Sequence, residues 1–78
     1  MSYYKQKILA NNRIQSIVDA IRKSKKQRFV DEIVLEVTNI FQISEKAVEQ
    51  RLELIARVDA EKNAKPMMII REGVIKWL

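Results

Sequence analysis

The chain has 78 residues, 47% hydrophobic and 32% charged, with a formal net charge of +5. That is enough for one domain with a modest core, and too apolar for a disordered tail. With no cysteine and no histidine it can form neither a disulfide nor a thiolate metal site, and it lacks the usual general base and the commonest zinc ligand.

The charge is unevenly spread. Residues 1–28 carry eight basic side chains and one acid, residues 29–61 three basic and eight acidic, and residues 62–78 four basic and one acidic. Both ends are basic and the middle is acidic. No stretch approaches the roughly 18 apolar residues of a membrane span, and the segment from Tyr3 to Ala10, interrupted by Lys5 and Lys7, does not read as a signal peptide. The expected location is the cytoplasm.

Residues 1–11 are ambiguous, because Tyr3, Tyr4, Ile8 and Leu9 share no face with the apolar stripe that begins at Ile14. They read as an arm, an edge strand or a short extra helix. A first helix is expected over 12–24. Asn12 and Gln15 have the form of a capping box, and Ile14, Ile17, Val18 and Ile21 make one apolar stripe. The pattern breaks at Ser24, and Arg28-Phe29-Val30 reads as a short extended piece.

A second helix is expected over 30–41, from the spacing of Val30, Ile33, Val34, Val37, Ile40 and Phe41. Asp31 and Glu32 suit its first turn, where the helix dipole favours negative charge. Gln42-Ile43-Ser44 leaves room only for a tight turn. A third helix is expected over 45–58, or to 62, with Ser44 as its cap and Val48, Leu52 and Ile55 facing the core. Asn63 can end it in a left-handed conformation, and Pro66 forbids further helix nearby. Residues 67–78 read as a β-hairpin turning at Glu72-Gly73, with Ile70 opposite Ile75 and Met68 opposite Trp77. Met68 and Trp77 read as core.

Two short helices joined by about three residues are a helix-turn-helix signature. Ser44, Val48, Leu52 and Ile55, with the hairpin 67–78 after them, resemble the recognition helix and wing of the winged helix-turn-helix DNA-binding domains. Small regulators of archaea, their plasmids and viruses are similar in size. The resemblance covers about residues 12–78. It implies a mainly α fold of three helices plus a C-terminal β-hairpin wing. Two positions depart from the family pattern: Gln42 stands where glycine is frequent in the turn, and Thr38 where a small alanine often lets the helices pack closely.

The resemblance implies duplex DNA binding, as a transcriptional regulator and a homodimer. Helix 3 would enter the major groove with Lys46, Ala47, Gln50 and Arg51 at base edges, since glutamine pairs with adenine and arginine with guanine. The candidate phosphate contacts are Arg22, Lys23, Lys25, Lys26 and Arg28 in the basic run 22–28, with Ser44, Lys65, Arg71 and Lys76. The bland reading of each is a solvated helix face or a solubilising loop. Tyr3 and Tyr4 are candidates for a dimer contact, for stacking on bases or for a cover over the core.

Against DNA stands the column Glu45, Glu49 and Glu53 at i, i+4 and i+8, which would repel phosphates. A solvated acidic face is its plain reading. A basic protein partner is the functional one, and a winged-helix interaction module within a larger complex is the alternative function. RNA binding through the basic run is a third possibility. No nucleophile–base pair, metal cluster or glycine-rich phosphate loop is legible, so no catalytic residue, metal or cofactor is expected.

Overall fold

The computed structural model describes residues 2–78. The elements run α1 (Tyr3–Ser24), β1 (Arg28–Phe29), α2 (Val30–Ile40), α3 (Glu45–Asn63), β2 (Met68–Arg71) and β3 (Val74–Trp77). The molecule is mainly helical, with a small antiparallel sheet in the order β1-β3-β2.

Helix α1 begins nine residues before the expected start. Ser2 is its N-cap, its Oγ accepting from the Lys5 N–H at 3.3 Å. Asn12 therefore lies mid-helix, and Gln15 donates to Asp19 at 3.1 Å instead of closing a capping box. The reason is compositional: residues 3–11 contain neither glycine nor proline, and Ala10, fully buried, extends the stripe of Ile14, Ile17, Val18 and Ile21 back by one turn. Tyr3, Tyr4, Ile8 and Leu9 stay exposed because these first turns overrun the core, and the molecule measures 38 × 22 × 21 Å. The arm and strand readings of residues 1–11 are thus replaced by helix, except at Met1, which lies outside the described residues.

The link from α2 to α3 uses no left-handed residue. Phe41 is extended (φ −120°, ψ 149°), the Ile43 N–H donates to the Phe41 carbonyl at 3.0 Å, and the Gln42 N–H donates to Gln6 Oε1 of α1 at 3.2 Å. This is how the turn dispenses with glycine. Phe41 is the extended residue after α2 rather than its last helical one. Thr38 is accommodated by donating its hydroxyl to the Val34 carbonyl at 2.8 Å. Ser44 caps α3, accepting from the Ala47 N–H at 3.1 Å. At the other end the left-handed residue is Ala64 (φ 59°), not Asn63. Asn63 remains helical and donates from Nδ2 to the Asp59 carbonyl at 2.8 Å.

The hairpin has the register expected of it, Met68 with Trp77 and Ile70 with Ile75. Glu72 (φ 53°) and Gly73 (φ 75°) form a two-residue turn with both φ positive, the type I′ geometry that matches strand twist. β1 adds to the sheet by pairing Arg28 with Ile75 and Phe29 with Val74. The Val30 N–H then donates to the Gly73 carbonyl at 2.8 Å, fastening the start of α2 to the hairpin turn. Ile14, Val18 and Ile21, Ile33 and Val37, Val48 and Leu52, and Met68 and Ile75 close one core drawn from all three helices and the sheet.

Candidate nucleic-acid interface

Seen down its axis at 100° per residue, α3 has four sides. Val48, Leu52, Ile55 and Asp59 are buried. Lys46, Gln50, Glu53 and Arg57 make an exposed outward ridge, and none of their side chains has a hydrogen bond or ion pair in the fold among the described residues. The flank toward α1 carries Ala47, Arg51, Leu54 and Val58, and the flank toward the hairpin carries Glu49, with Glu53 at its border with the ridge.

The four expected base readers therefore do not share one open face. Lys46 points outward, Ala47 and Arg51 lie in a cleft of about 220 Å³ with Lys7 and Asn11 of α1, and exposed Gln50 stands at the rim of that cleft. Arg51 is half-buried, and its Nε is buried without a hydrogen-bond partner. Helical periodicity puts Arg51 beside the ridge, and the packing of α1 on that side turns it inward.

The basic run 22–28 is divided. Arg22 donates to both carboxylate oxygens of Asp59 at 3.3 and 3.4 Å and lies 4.8 Å from the centroid of Trp77. Asp59, only 9% exposed, needs that cation, because an unpaired buried carboxylate is costly. Arg28 bridges Glu32 and Glu36 of α2, each at 3.8 Å, and Glu36 also accepts from Arg13 at 3.2 Å. Both arginines, expected at phosphates, are thus engaged within the fold. Lys25 ends α1 in a left-handed conformation with its ammonium 5.2 Å from the Trp77 ring. Lys23 and Lys26 are exposed and unpaired among the described residues. Trp77 is half-buried under these cations, partly core and partly their platform.

Lys65 is exposed after α3. Arg71 and Lys76 project from the outer face of the sheet, around a shallow recess shared with Gln27, Ile69, Glu72, Val74 and Leu78. Ser44 is exposed, with its Oγ engaged in capping α3. Glu45, Glu49 and Glu53 form no ion pair among the described residues, with Lys46 and Arg57 or with any other cation. Glu49 and Glu53 line a recess with Asp31 and Gly73, between α3 and the hairpin turn.

Sequence reasoning missed Lys7 and Asn11 as neighbours of α3. The signal available was Ala10 falling one turn before Ile14, which continues α1 through them.

Among the described residues no helix is long and apolar enough to cross a membrane, and no group of three metal-ligating side chains occurs. Comparison with protein-family models, with curated proteins and with solved structures finds no match.

Proposed function

We propose that the chain is a winged helix-turn-helix domain that binds duplex DNA, acting as a transcriptional regulator in the cytoplasm. The element order and the strand order β1-β3-β2 support the winged arrangement, with β2–β3 as a short wing. The observation that carries the DNA reading is the outward ridge of α3. Lys46, Gln50 and Arg57 stand exposed and unpartnered, among the described residues, on the second helix of a tightly turned helix pair, with Glu53 the one acid beside them. In this reading the ridge enters the major groove, with Lys46 and Gln50 at base edges. Lys23, Lys25 and Lys26 are the members of the basic run left to meet phosphates.

One small module offers limited specificity, so the reading includes a homodimer. The surface suited to it is the overrunning start of α1, where Tyr3 and Tyr4 are 60% and 74% exposed beside Ile8 and Leu9.

The test is fluorescence anisotropy with random-sequence duplex DNA at about 50 and 200 mM salt. Binding of about micromolar affinity or tighter that weakens steeply with salt, near −0.9 in log–log slope per phosphate contact, supports the reading. Lys25→Glu with Lys26→Glu should abolish it. No binding at the lower salt overturns it.

The recess of Asp31, Glu49 and Glu53 favours a second reading, a protein-interaction module with a basic partner. Under that reading Glu45→Lys with Glu49→Lys breaks a partner complex, and the lysine reversals leave it intact. RNA binding is separated from the first reading by competition between duplex DNA and RNA.

A further inference from the structure

Arg51 is the one cation of α3 that the fold draws inward among the described residues. Its Nε is buried and has no hydrogen-bond partner, and its side chain lines the cleft that α3 makes with α1. A charged group taken partly from water without a partner is costly, and a buried donor left open asks for an explanation.

The surroundings supply one. The cleft around Arg51 is lined by Lys7, Asn11, Ala47, Gln50 and Leu54: a second cation, two amides and two apolar side chains, with no acid. The one carboxylate that lines the adjoining recess with Arg51 is Asp59, and it is held by Arg22. The other flank of α3 is the reverse, with Asp31, Glu49 and Glu53 facing the hairpin turn. One helix thus separates an acid-free cationic cleft from an acidic recess.

We propose that the α1–α3 cleft is a phosphate site, with Arg51 and Lys7 supplying charge and Asn11 and Gln50 supplying amide donors, and that the phosphodiester backbone of duplex DNA fills it. The occupant rests on the DNA reading above; the phosphate chemistry does not. Arginine suits this place because its planar guanidinium offers several fixed donors to an oxyanion. Gln50 stands on the boundary between the outward ridge and the cleft, so a helix with its ridge at base edges brings the cleft onto the strand bordering that groove. The acidic flank repels the opposite strand. Backbone contact is therefore one-sided, made toward α1 more than toward the hairpin, and Arg71 and Lys76 contribute less than Lys7 and Arg51.

The experiment compares the wild type with Arg51→Met plus Lys7→Met, with Lys7→Glu alone, and with Arg71→Met plus Lys76→Met. Methionine keeps an unbranched apolar stem in the cleft, and Lys7 is exposed, so its single reversal leaves the packing untouched. Each protein is titrated into labelled random-sequence duplex across salt, and its Tm is measured with and without inorganic phosphate. The expected result for the Arg51/Lys7 variant is duplex binding weaker by about tenfold or more, with a salt slope shallower by about 1.8. Its Tm should equal or exceed that of the wild type, and the phosphate-induced rise should vanish. Lys7→Glu should weaken duplex binding at unchanged Tm, and the hairpin variant should change less.

Equal duplex affinity and equal phosphate response in the wild type and the Arg51/Lys7 variant overturn the proposal and leave the DNA reading standing. So does unchanged binding by Lys7→Glu in a case where the double variant loses both Tm and binding, because Arg51 is then merely structural. A phosphate response that depends on Arg51 and Lys7, in a protein that binds no duplex, upholds the site and removes the DNA reading. No duplex binding and no phosphate response overturn both.

Discussion

Among the described residues, three other than glycine hold a positive φ: Lys25, Ala64 and Glu72. Each sits where the chain must turn at once, and a Cβ in the left-handed region costs roughly 1–2 kcal/mol. Ala64→Gly is therefore expected to stabilise the protein by about 0.5 kcal/mol, the relief of that strain exceeding the extra entropy of an unfolded glycine. Glu72→Asn should do the same, since asparagine is favoured at the first position of a type I′ turn. Gly73→Ala should destabilise by about 1 kcal/mol through backbone strain alone, because nothing lies within 4 Å of an added Cβ. Urea denaturation midpoints at constant m-value check all three. Asp59 sets a different expectation. Arg22→Met leaves its buried carboxylate without the cation that accompanies it. A loss of about 2 kcal/mol is expected, part of which Asp59→Asn in the same chain should restore. At this scale Glu72-Gly73 is legible in the sequence because its chemistry is local. The left-handed residue after α3 is not, because whether Asn63 or Ala64 takes that role depends on an i−4 bond that Asn63 makes only once the helix exists.

Among the elements, α2, α3 and the hairpin arise directly from their periodicities. The turn between α2 and α3 is forced by its brevity, and Ser44 announces the start of α3. Ser44→Ala removes the acceptor for the Ala47 N–H and should cost about 1 kcal/mol, lowering Tm by about 4–8 °C in a domain of this size. Leu52→Ala empties the middle of the core and should cost about 3 kcal/mol, measured by the same thermal scan. The start of α1 is hidden in the sequence because two cap-like residues, Asn12 and Gln15, fall inside a helix long enough to need no cap there. Ser2 does that work ten residues earlier. The orientation of Arg51 is hidden for a related reason. Periodicity says which residues share a side of α3, but the side that α1 covers is set by packing.

For the molecule as a whole, the linear pattern of basic ends and acidic middle becomes a spatial one. α2 and one flank of α3 hold the acids. α1, the cleft it makes with α3 and the ends of the chain hold most of the cations, and the outward ridge of α3 mixes Lys46 and Arg57 with Glu53. Fields of this kind act on charged partners and fade with salt. The overrun of α1 leaves Tyr3, Tyr4, Ile8 and Leu9 uncovered, and Tyr4 and Ile8, at i and i+4, lie side by side. Sedimentation equilibrium should show a dimer at tens of micromolar, a typical range for modest interfaces, and Tyr4→Lys with Ile8→Lys should return it to monomer with its Tm little changed. A monomer in the wild type removes the dimer from the functional proposal. Composition, charge order and hydrophobic spacing by themselves determined a single mainly helical domain with a C-terminal hairpin, its turn and its register. All of these arise from contacts within a few residues or from the period of one element. Only the tertiary structure decided that Arg22 and Arg28 are engaged by Asp59, Glu32 and Glu36, that Arg51 shares a cleft with Lys7, and that Glu49 shares a recess with Asp31. Each of these joins residues more than ten positions apart except for Arg28 with Glu32 and Glu36, and such pairs become neighbours only after the core has closed.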